Sequence, residues 1–472
     1  MTKIVLVNTP LTGKERYGIL SAAGVYMPPL GLAGLAAFIR LHGYPVKIVD
    51  CCALNLSIVD SAKAILSFKP EYVGITAATI SINNAAILAS ILKQQSPNLK
   101  IIVGGSHLSA LPEKTMKVFP QFDIGIIGEG ELTVIELLKT QDEKISLDGL
   151  KGIIFRDNGK LKINEQRPLI NNLDALPFPA WDLLPDLAKF YRPSCFGFKK
   201  MPVTNLVTSR GCPMRCTFCS KIPFARTHRM HSIPYIIGMI KFLKQQYRIN
   251  DLMIYDEFFC ITKQRLTDFC ESMIKENIDM VWSCDARVDS LAPETLKLMK
   301  RAGCWLIGYG IESGSQEILN FTQKDINLRK AKEVLEWTKK EGILTKGYFM
   351  LGHLKDNEES IRSTLNFILN SKLDVLTLNY FTPLPGSLDY ERASCYGEFN
   401  NNWSLLNQHN LVFIPFGLDR KAMDFYRKYI VRRFYLRPGI ILRYAKMLFN
   451  IRSFEIIVLG FIVFLNFLRK RK

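Results

Sequence analysis

The feature that most narrows what this chain can fold into is an alternation, met twice, of short apolar runs with longer helical patterns. In residues 1–140, Lys3–Val7, Val46–Val49, Tyr72–Ile75, Ile101–Val103 and Ile124–Ile127 read as buried strands. Leu30–Leu41, Ile58–Phe68, Asn84–Gln94 and Glu131–Leu138 read as the helices between them. Strands and helices at this spacing predict a doubly wound parallel sheet, with ligands at the carboxyl ends of its strands. Residues 141–195 read as a linker, because Pro177 and Pro179 fix φ and restrict the residues before them. Within that linker Ile153–Phe155 has the character of one extra strand. A second series fills residues 196–390, with strands expected at Thr204–Thr208, Asp251–Tyr255, Val281–Cys284, Leu306–Gly310, Thr345–Leu351 and Val375–Tyr380. Six such units predict a partial (β/α)6 barrel of TIM type, whose active site lies at the carboxyl ends of its strands. Residues 391–472 read as a helical, basic and apolar tail.

Composition limits the function classes. Apolar residues make up 48% of 472, which excludes general disorder. The net charge of +19 points to an anionic partner. Most of it is local: from Arg420 to Lys472 fourteen Lys and Arg stand against Asp424 and Glu455, a net +12. Eleven cysteines in so long a chain do not resemble a secreted disulfide framework. The start, MTKIVLVN, reads as a strand and not as a signal peptide. The expectation is therefore a cytoplasmic, reducing location, where thiols stay available for metal.

Three of those cysteines carry the chemistry. The segment Thr208-Ser209-Arg210-Gly211-Cys212-Pro213-Met214-Arg215-Cys216-Thr217-Phe218-Cys219 follows the first strand of the second series, in the spacing C-x3-C-x2-C. A [4Fe–4S] cluster ordinarily takes four thiolates. Three on one loop leave one iron open, able to chelate the amino and carboxylate groups of S-adenosylmethionine. An electron passed to the sulfonium then releases methionine and a 5′-deoxyadenosyl radical. The rival reading is zinc, but no second cysteine pair stands nearby and only His228 and His231 offer themselves as further ligands.

With this motif in view the chain resembles the radical S-adenosylmethionine superfamily, and within it the cobalamin-binding branch that joins an N-terminal Rossmann-like domain to the radical barrel. The resemblance covers residues 1 to about 390. It implies that Phe218, Asp256, Glu257, Arg287, Glu312 and Ser313 meet S-adenosylmethionine, from Tyr255-Asp256-Glu257, Trp282-Ser283-Cys284-Asp285-Ala286-Arg287 and Gly310-Ile311-Glu312-Ser313-Gly314. Gly347–Gly352 is similar to the segment that lies near the adenine. It also implies that cobalamin meets Gly104, Gly105, Ser106 and His107, and Gly128, Glu129, Gly130 and Glu131. The cobalt-ligating Asp-x-His-x-x-Gly pattern is absent, and His107 reads better as a loop histidine than as a metal ligand. The family's Gly-x-Pro-Gly-Glu is replaced here by Gly352-His353-Leu354-Lys355-Asp356.

The resemblance implies methylation of an unactivated carbon, with one S-adenosylmethionine methylating cobalamin and a second yielding the radical. Its neighbour within the branch is a non-methylating radical rearrangement or oxidative cyclisation, as in anaerobic Mg-protoporphyrin monomethyl ester cyclases. The alternative from another class is a non-catalytic, membrane-associated cobalamin or iron–sulfur sensor. The implied partners are a small-molecule, lipid-like or tetrapyrrole substrate and an external electron donor of flavodoxin or ferredoxin type. Nucleic acid is not expected, because the basic stretch is heavily apolar. Arginines and lysines interleaved with large apolar residues over Phe425–Phe449, followed by Ile456–Leu468, suit peripheral contact with an anionic membrane surface, while the terminal run is too short to span.

Overall fold

The computed structural model describes residues 2–448, apart from 19–20, 22–23, 144, 195–196, 221–223 and 225. The terminal apolar run at 456–468 lies outside the described residues. The first sheet contains β1 Ile4–Asn8, β2 Val46–Asp50, β3 Tyr72–Thr76, β4 Lys100–Gly104, β5 Ile124–Ile126, β6 Ile153–Asp157 and β7 Lys160–Ile163, in the order β2-β1-β3-β4-β5-β6-β7. The first five are parallel, as the strand–helix alternation requires. The extra strand expected at Ile153–Phe155 forms, and it pairs antiparallel with β5 before turning into β7. Ile4, Val5, Val73, Ile101 and Val103 are fully buried because helices cover both faces.

The second sheet holds β8 Val203–Leu206, β9 Asp251–Ile254, β10 Val281–Ala286, β11 Cys304–Glu312, β12 Leu344–Leu351 and β13 Val375–Tyr380, all parallel and in simple sequence order. This is the open six-stranded barrel. Its helices start where the sequence supplies caps: Ser232, Thr262, Asn327 and Asn357 each accept a hydrogen bond from a first-turn backbone N–H. The carboxyl ends of the two sheets face one another. Asn205 at the end of β8 donates 3.1 Å to the carbonyl of Pro28, and Tyr191 donates 2.8 Å to Asp50 at the end of β2.

The basic tail begins as a packed element. Helix Arg420–Tyr435 lies on β13 and on helix Glu358–Leu369, with Met423, Ile430 and Phe434 fully buried. Several of its cations have partners inside the protein. Arg437 donates to the carbonyls of Leu369, Ser371 and Leu373, Arg443 pairs with Asp374, and Arg427 lies 4.4 Å from the centre of the Tyr380 ring. Among the described residues no helix is long and apolar enough to cross a membrane.

Truncating Phe434→Ala should cost about 3–5 kcal/mol, the usual price of a buried aromatic. Phe425→Ala, on the exposed side of the same helix, should change stability by about 0.5 kcal/mol or less. Urea melts of the two variants against the parent check this, and equal shifts would contradict the docking of this helix.

Candidate active site

One cavity lies where the sheets face each other and a second lies within the barrel. The first, about 500 Å³, is floored by the carboxyl ends of β3 and β4 and by the loop after β5, and roofed by Leu206, Ser209, Arg210, Tyr255 and Glu257 of the barrel. Its floor is glycine-rich for a steric reason. Gly105 has φ +100°, and a Cβ there would stand 2.8 Å from the Ala77 carbonyl oxygen; Gly104 has nothing within 4 Å of a Cβ position. Bare backbone therefore faces the cavity, which lets a flat, bulky ligand approach closely.

Of the residues assigned to cobalamin, Gly104, Gly105, Gly128, Glu129, Gly130 and Glu131 line this cavity, whereas Ser106 and His107 do not. His107 is fully buried, its Nδ1 is 3.1 Å from Thr79 Oγ1, and its ring packs edge-on to Trp403 at 4.5 Å. Burial, reinforced by Lys114, lowers its pKa from 6.5 to about 4.

The two glutamates also hold the domains together. Glu129 accepts from Arg210 at 2.7 Å and from Arg229 at 3.0 Å, and Glu131 accepts from Arg210 at 2.6 Å. Glu129 Oε2, which Arg229 also reaches, accepts from the Ile170 N–H at 2.8 Å. Burial opposes the Arg210 charge, but Glu131 and Glu129 outweigh it and hold the guanidinium pKa above its ordinary range.

Arg210 stands two residues before Cys212, so this network grips the root of the cysteine loop. Other pins are close by. Asp256, buried, accepts from the Thr208 N–H at 2.6 Å and the Ser209 hydroxyl at 2.7 Å. Gly211 turns the chain at φ +88°, where a Cβ would stand 2.2 Å from the Thr227 carbonyl oxygen, and its N–H donates to Glu257. On the far side Thr217 donates 2.9 Å to the Thr322 carbonyl and accepts at its own carbonyl from the Asp389 N–H. Cys216 is buried, Cys212 half-buried and Cys219 exposed. Among the described residues no three His, Cys, Asp or Glu side chains converge closely enough to hold a single metal ion. The loop supplies three soft thiol donors from a pinned segment, and among the described residues no fourth ligand stands with them to close a metal site. That donor set fits a cluster with one open iron and does not fit a closed structural zinc site.

The second cavity, about 340 Å³, is the barrel lumen. Glu257, Arg287 and Glu312 line it, and Lys324 joins them. Lys324 pairs with Glu312 at 3.1 Å, its carbonyl accepts from Arg287 at 2.9 Å, and its ammonium lies 5.9 Å from the Phe218 ring centre. Four of the residues assigned to S-adenosylmethionine are therefore gathered around a lysine or the lumen beside it. Burial works against the Arg287 charge; Asp289, and beyond it the nearby Cys216 and Cys212, more than offset this and raise its pKa. Glu312 adopts φ +71° where the pairing of β11 with β12 slips at a bulge. For a residue with a side chain this is a strained conformation, and here it re-aims the carboxylate towards Lys324. Asp256 and Ser313 line neither cavity: Asp256 is spent on the β8 end, and Ser313 is buried 3.3 Å from the Thr364 hydroxyl. Glu257 borders both cavities, and burial raises its pKa.

Sequence reasoning did not single out Lys324, which sits in an irregular turn between Gln323 and Asp325, both at positive φ. It also did not single out Arg210 or Tyr255, although both lie inside segments it quoted.

Comparison with known proteins agrees with this architecture. Residues 17–138 match the B12 binding domain and residues 206–368 match the radical SAM superfamily. An uncharacterised methyltransferase of Pyrococcus horikoshii is 33% identical over 93% of this chain and 94% of its own length. An anaerobic magnesium-protoporphyrin IX monomethyl ester cyclase of Rubrivivax gelatinosus is 26% identical over 87% of the chain and 75% of its own length. The fold is shared with the cobalamin-dependent S-adenosylmethionine radical enzyme OxsB, solved with aqua-cobalamin and S-adenosylmethionine (TM-score 0.76, 18% identity, 98% of this chain and 72% of that one). It is shared equally with the radical S-adenosylmethionine methyltransferase TsrM of Kitasatospora setae, solved with cobalamin and a [4Fe–4S] cluster (TM-score 0.74, 13% identity, 99% of each chain). The chain belongs to the family of cobalamin-binding radical S-adenosylmethionine enzymes, whose cofactors are a [4Fe–4S] cluster, S-adenosylmethionine and cobalamin.

The depressed His107 pKa has a signed consequence. The unfolded chain takes up this proton near pH 6.5 and the folded chain only near 4. Between those values the unfolded state binds more protons, so this contribution to stability is complete above pH 6.5 and is lost as the pH falls towards 4. The loss amounts to roughly 2–3 kcal/mol. Urea melts at pH 7 and pH 4.5 should show a smaller pH effect in His107→Gln than in the parent; equal pH effects would refute the assignment.

Proposed function

We propose that the chain is a cobalamin-dependent radical S-adenosylmethionine methyltransferase acting on an unactivated carbon. The observation that carries this reading is the placement of one carboxylate, Glu257, on the border of both cavities and at the root of the cysteine loop. Cys212, Cys216 and Cys219 are the cluster ligands. Arg287, Glu312, Glu257 and Phe218 form the cradle for S-adenosylmethionine, and the glycine-floored cavity between the sheets takes cobalamin. When bound, these cofactors supply an electron to the sulfonium, a radical for hydrogen abstraction and a carrier for the methyl group.

The chain's own residues do the positioning. Arg287 offers a guanidinium to a carboxylate, and Glu312, held in its strained conformation by Lys324, offers an acceptor to hydroxyl or amino groups. Asp256 and Ser313 act one step back, Asp256 by fixing the end of β8 and Ser313 by closing the turn after Glu312. The paired sheets enclose the site and keep water from a reactive intermediate.

The similarity to the Rubrivivax gelatinosus cyclase over most of the chain supports a second reading, a radical oxidative cyclisation at the same site. For the tail, the exposed Phe425, Leu436, Ile441 and Leu442 beside the basic residues support peripheral contact with an anionic membrane. Flotation with anionic liposomes tests it; equal recovery with and without vesicles would discard it.

Anaerobic reconstitution with a reductant and S-adenosylmethionine should give 5′-deoxyadenosine, and S-adenosylhomocysteine alongside it. Cys212→Ala, Cys216→Ala and Cys219→Ala should each abolish 5′-deoxyadenosine formation and the cluster's EPR signal, while circular dichroism stays that of the parent. Formation of 5′-deoxyadenosine without S-adenosylhomocysteine would favour cyclisation; neither product would sink the enzyme reading.

A further inference from the structure

Deeper in the lumen than Arg287 and Glu312 lies a polar group that the cofactor cradle does not use. Asp285, Gly308 and Lys346 stand in register across β10, β11 and β12. Tyr348 follows Lys346 by two residues and so shares its face of the strand. The Tyr348 hydroxyl donates to Asp285 Oδ1 at 3.0 Å, and the Lys346 ammonium lies 4.5 Å from the centre of the Tyr348 ring. Gly308 makes the meeting possible. A Cβ there would stand 2.1 Å from Asp285 Oδ1 and 2.6 Å from Tyr348 Cε2.

This group is incomplete within itself. Among the described residues no hydrogen bond or ion pair holds the Lys346 ammonium, and no donor reaches Asp285 Oδ2. Asp285 is reached by solvent only because it faces the cavity; protein surrounds it, and burial raises its pKa while Lys346 opposes the rise. Burial likewise lowers the Lys346 pKa, and Asp285 opposes that. The half-buried Lys346 ammonium and the Asp285 Oδ2 are left to solvent by the protein, so a ligand that enters here can complete both. A hydroxyl does both, because it donates and accepts. A hydrocarbon does neither. Asn379 and Gln408 add amide donors and acceptors around the same lumen, and Met350 and Phe258 leave an apolar wall for a carbon skeleton.

We propose that Asp285, Tyr348 and Lys346 are the substrate anchor of the barrel, and that they take a polar, hydroxyl-bearing small molecule, one hydroxyl donating to Asp285 and accepting from Lys346. This rests on the reading of the chain as a radical enzyme of this family, and it replaces the lipid-like substrate expected from the tail. Gly308 is a specificity-determining position in the same sense, since any side chain there enters the space where the anchor meets its ligand.

The test uses the full chain, reconstituted anaerobically with cluster and cobalamin, with dithionite and S-adenosylmethionine bearing a trideuterated methyl group. Water-soluble and chloroform-soluble extracts of the native cells are supplied separately, and mass spectrometry reads the label. The expected result is a labelled product from the water-soluble extract. Asp285→Asn, Tyr348→Phe and Lys346→Met should each lower it by about tenfold or more, the loss typical of a hydrogen bond to a charged group. In Asp285→Asn and Lys346→Met, substrate-free 5′-deoxyadenosine formation and the change that S-adenosylmethionine causes in the cluster's EPR signal should stay as in the parent.

Label only in the chloroform extract would overturn the anchor. So would parental labelling by the variants, or loss of the EPR change, which would place these residues in the cofactor cradle. If no label appears while the parent forms 5′-deoxyadenosine, methyl transfer fails as a reading, and stimulation of that product is read instead. Stimulation by the water-soluble extract that Asp285→Asn abolishes supports the anchor; stimulation by the chloroform extract, or by neither extract, overturns it.

Discussion

The ion network of Glu129 and Glu131 with Arg210 and Arg229 is the interaction on which the rest of the site depends. It joins the loop after β5 of the first sheet to the residues flanking the cysteine loop of the second. Both glutamates are almost fully buried. A buried charge left without its partner costs about 3–5 kcal/mol, so neither loop can leave the other cheaply. The network thereby fixes how the floor of one cavity faces the mouth of the next. Glu257 then closes the arrangement from the barrel side through the Gly211 N–H.

Around that joint, space is made by omission. Gly105 and Gly211 turn the backbone where a side chain would collide with a carbonyl oxygen, and Gly308 and Gly310 clear the lumen where Asp285, Tyr348, Glu312 and Lys324 meet. The bulge in β11 belongs to the same design, since it sends the Glu312 carboxylate inwards. These features place charged groups in an enclosed lumen where their electrostatic effect is large and their reorganisation small.

Much of this was legible in the sequence, for physical reasons. Buried parallel strands are continuous apolar runs, so β1 to β5 and β8 to β13 stood out. The cysteine spacing is short and local, so it needed no tertiary information. The glycine pairs at 104–105 and 128–130 were legible as cavity floor. Side-chain partners across the chain were not. His107 shares a motif with Gly104 and Gly105, but its helix turns it into the core against Trp403, nearly three hundred residues on. Glu129 and Glu131 read as ligand contacts because their arginine partners lie in the other sheet. Asp256 looked equivalent to Glu257, yet one step along the chain sends it into the β8 end instead of the lumen. Lys324 has no motif at all. The tail was legible only in part: Arg427, Arg437 and Arg443 find a ring, carbonyls and Asp374 inside the protein, partners that its composition does not reveal.

The proposed arrangement sets cobalamin in the cavity between the sheets and the cluster on the cysteine loop, with Glu257, which borders that cavity and accepts from the Gly211 N–H, between them. Pulsed EPR on the reconstituted protein, with cobalamin as cob(II)alamin and the cluster reduced, measures this directly. The account predicts magnetic coupling between the two centres within one chain. Two full-strength but uncoupled signals would contradict it.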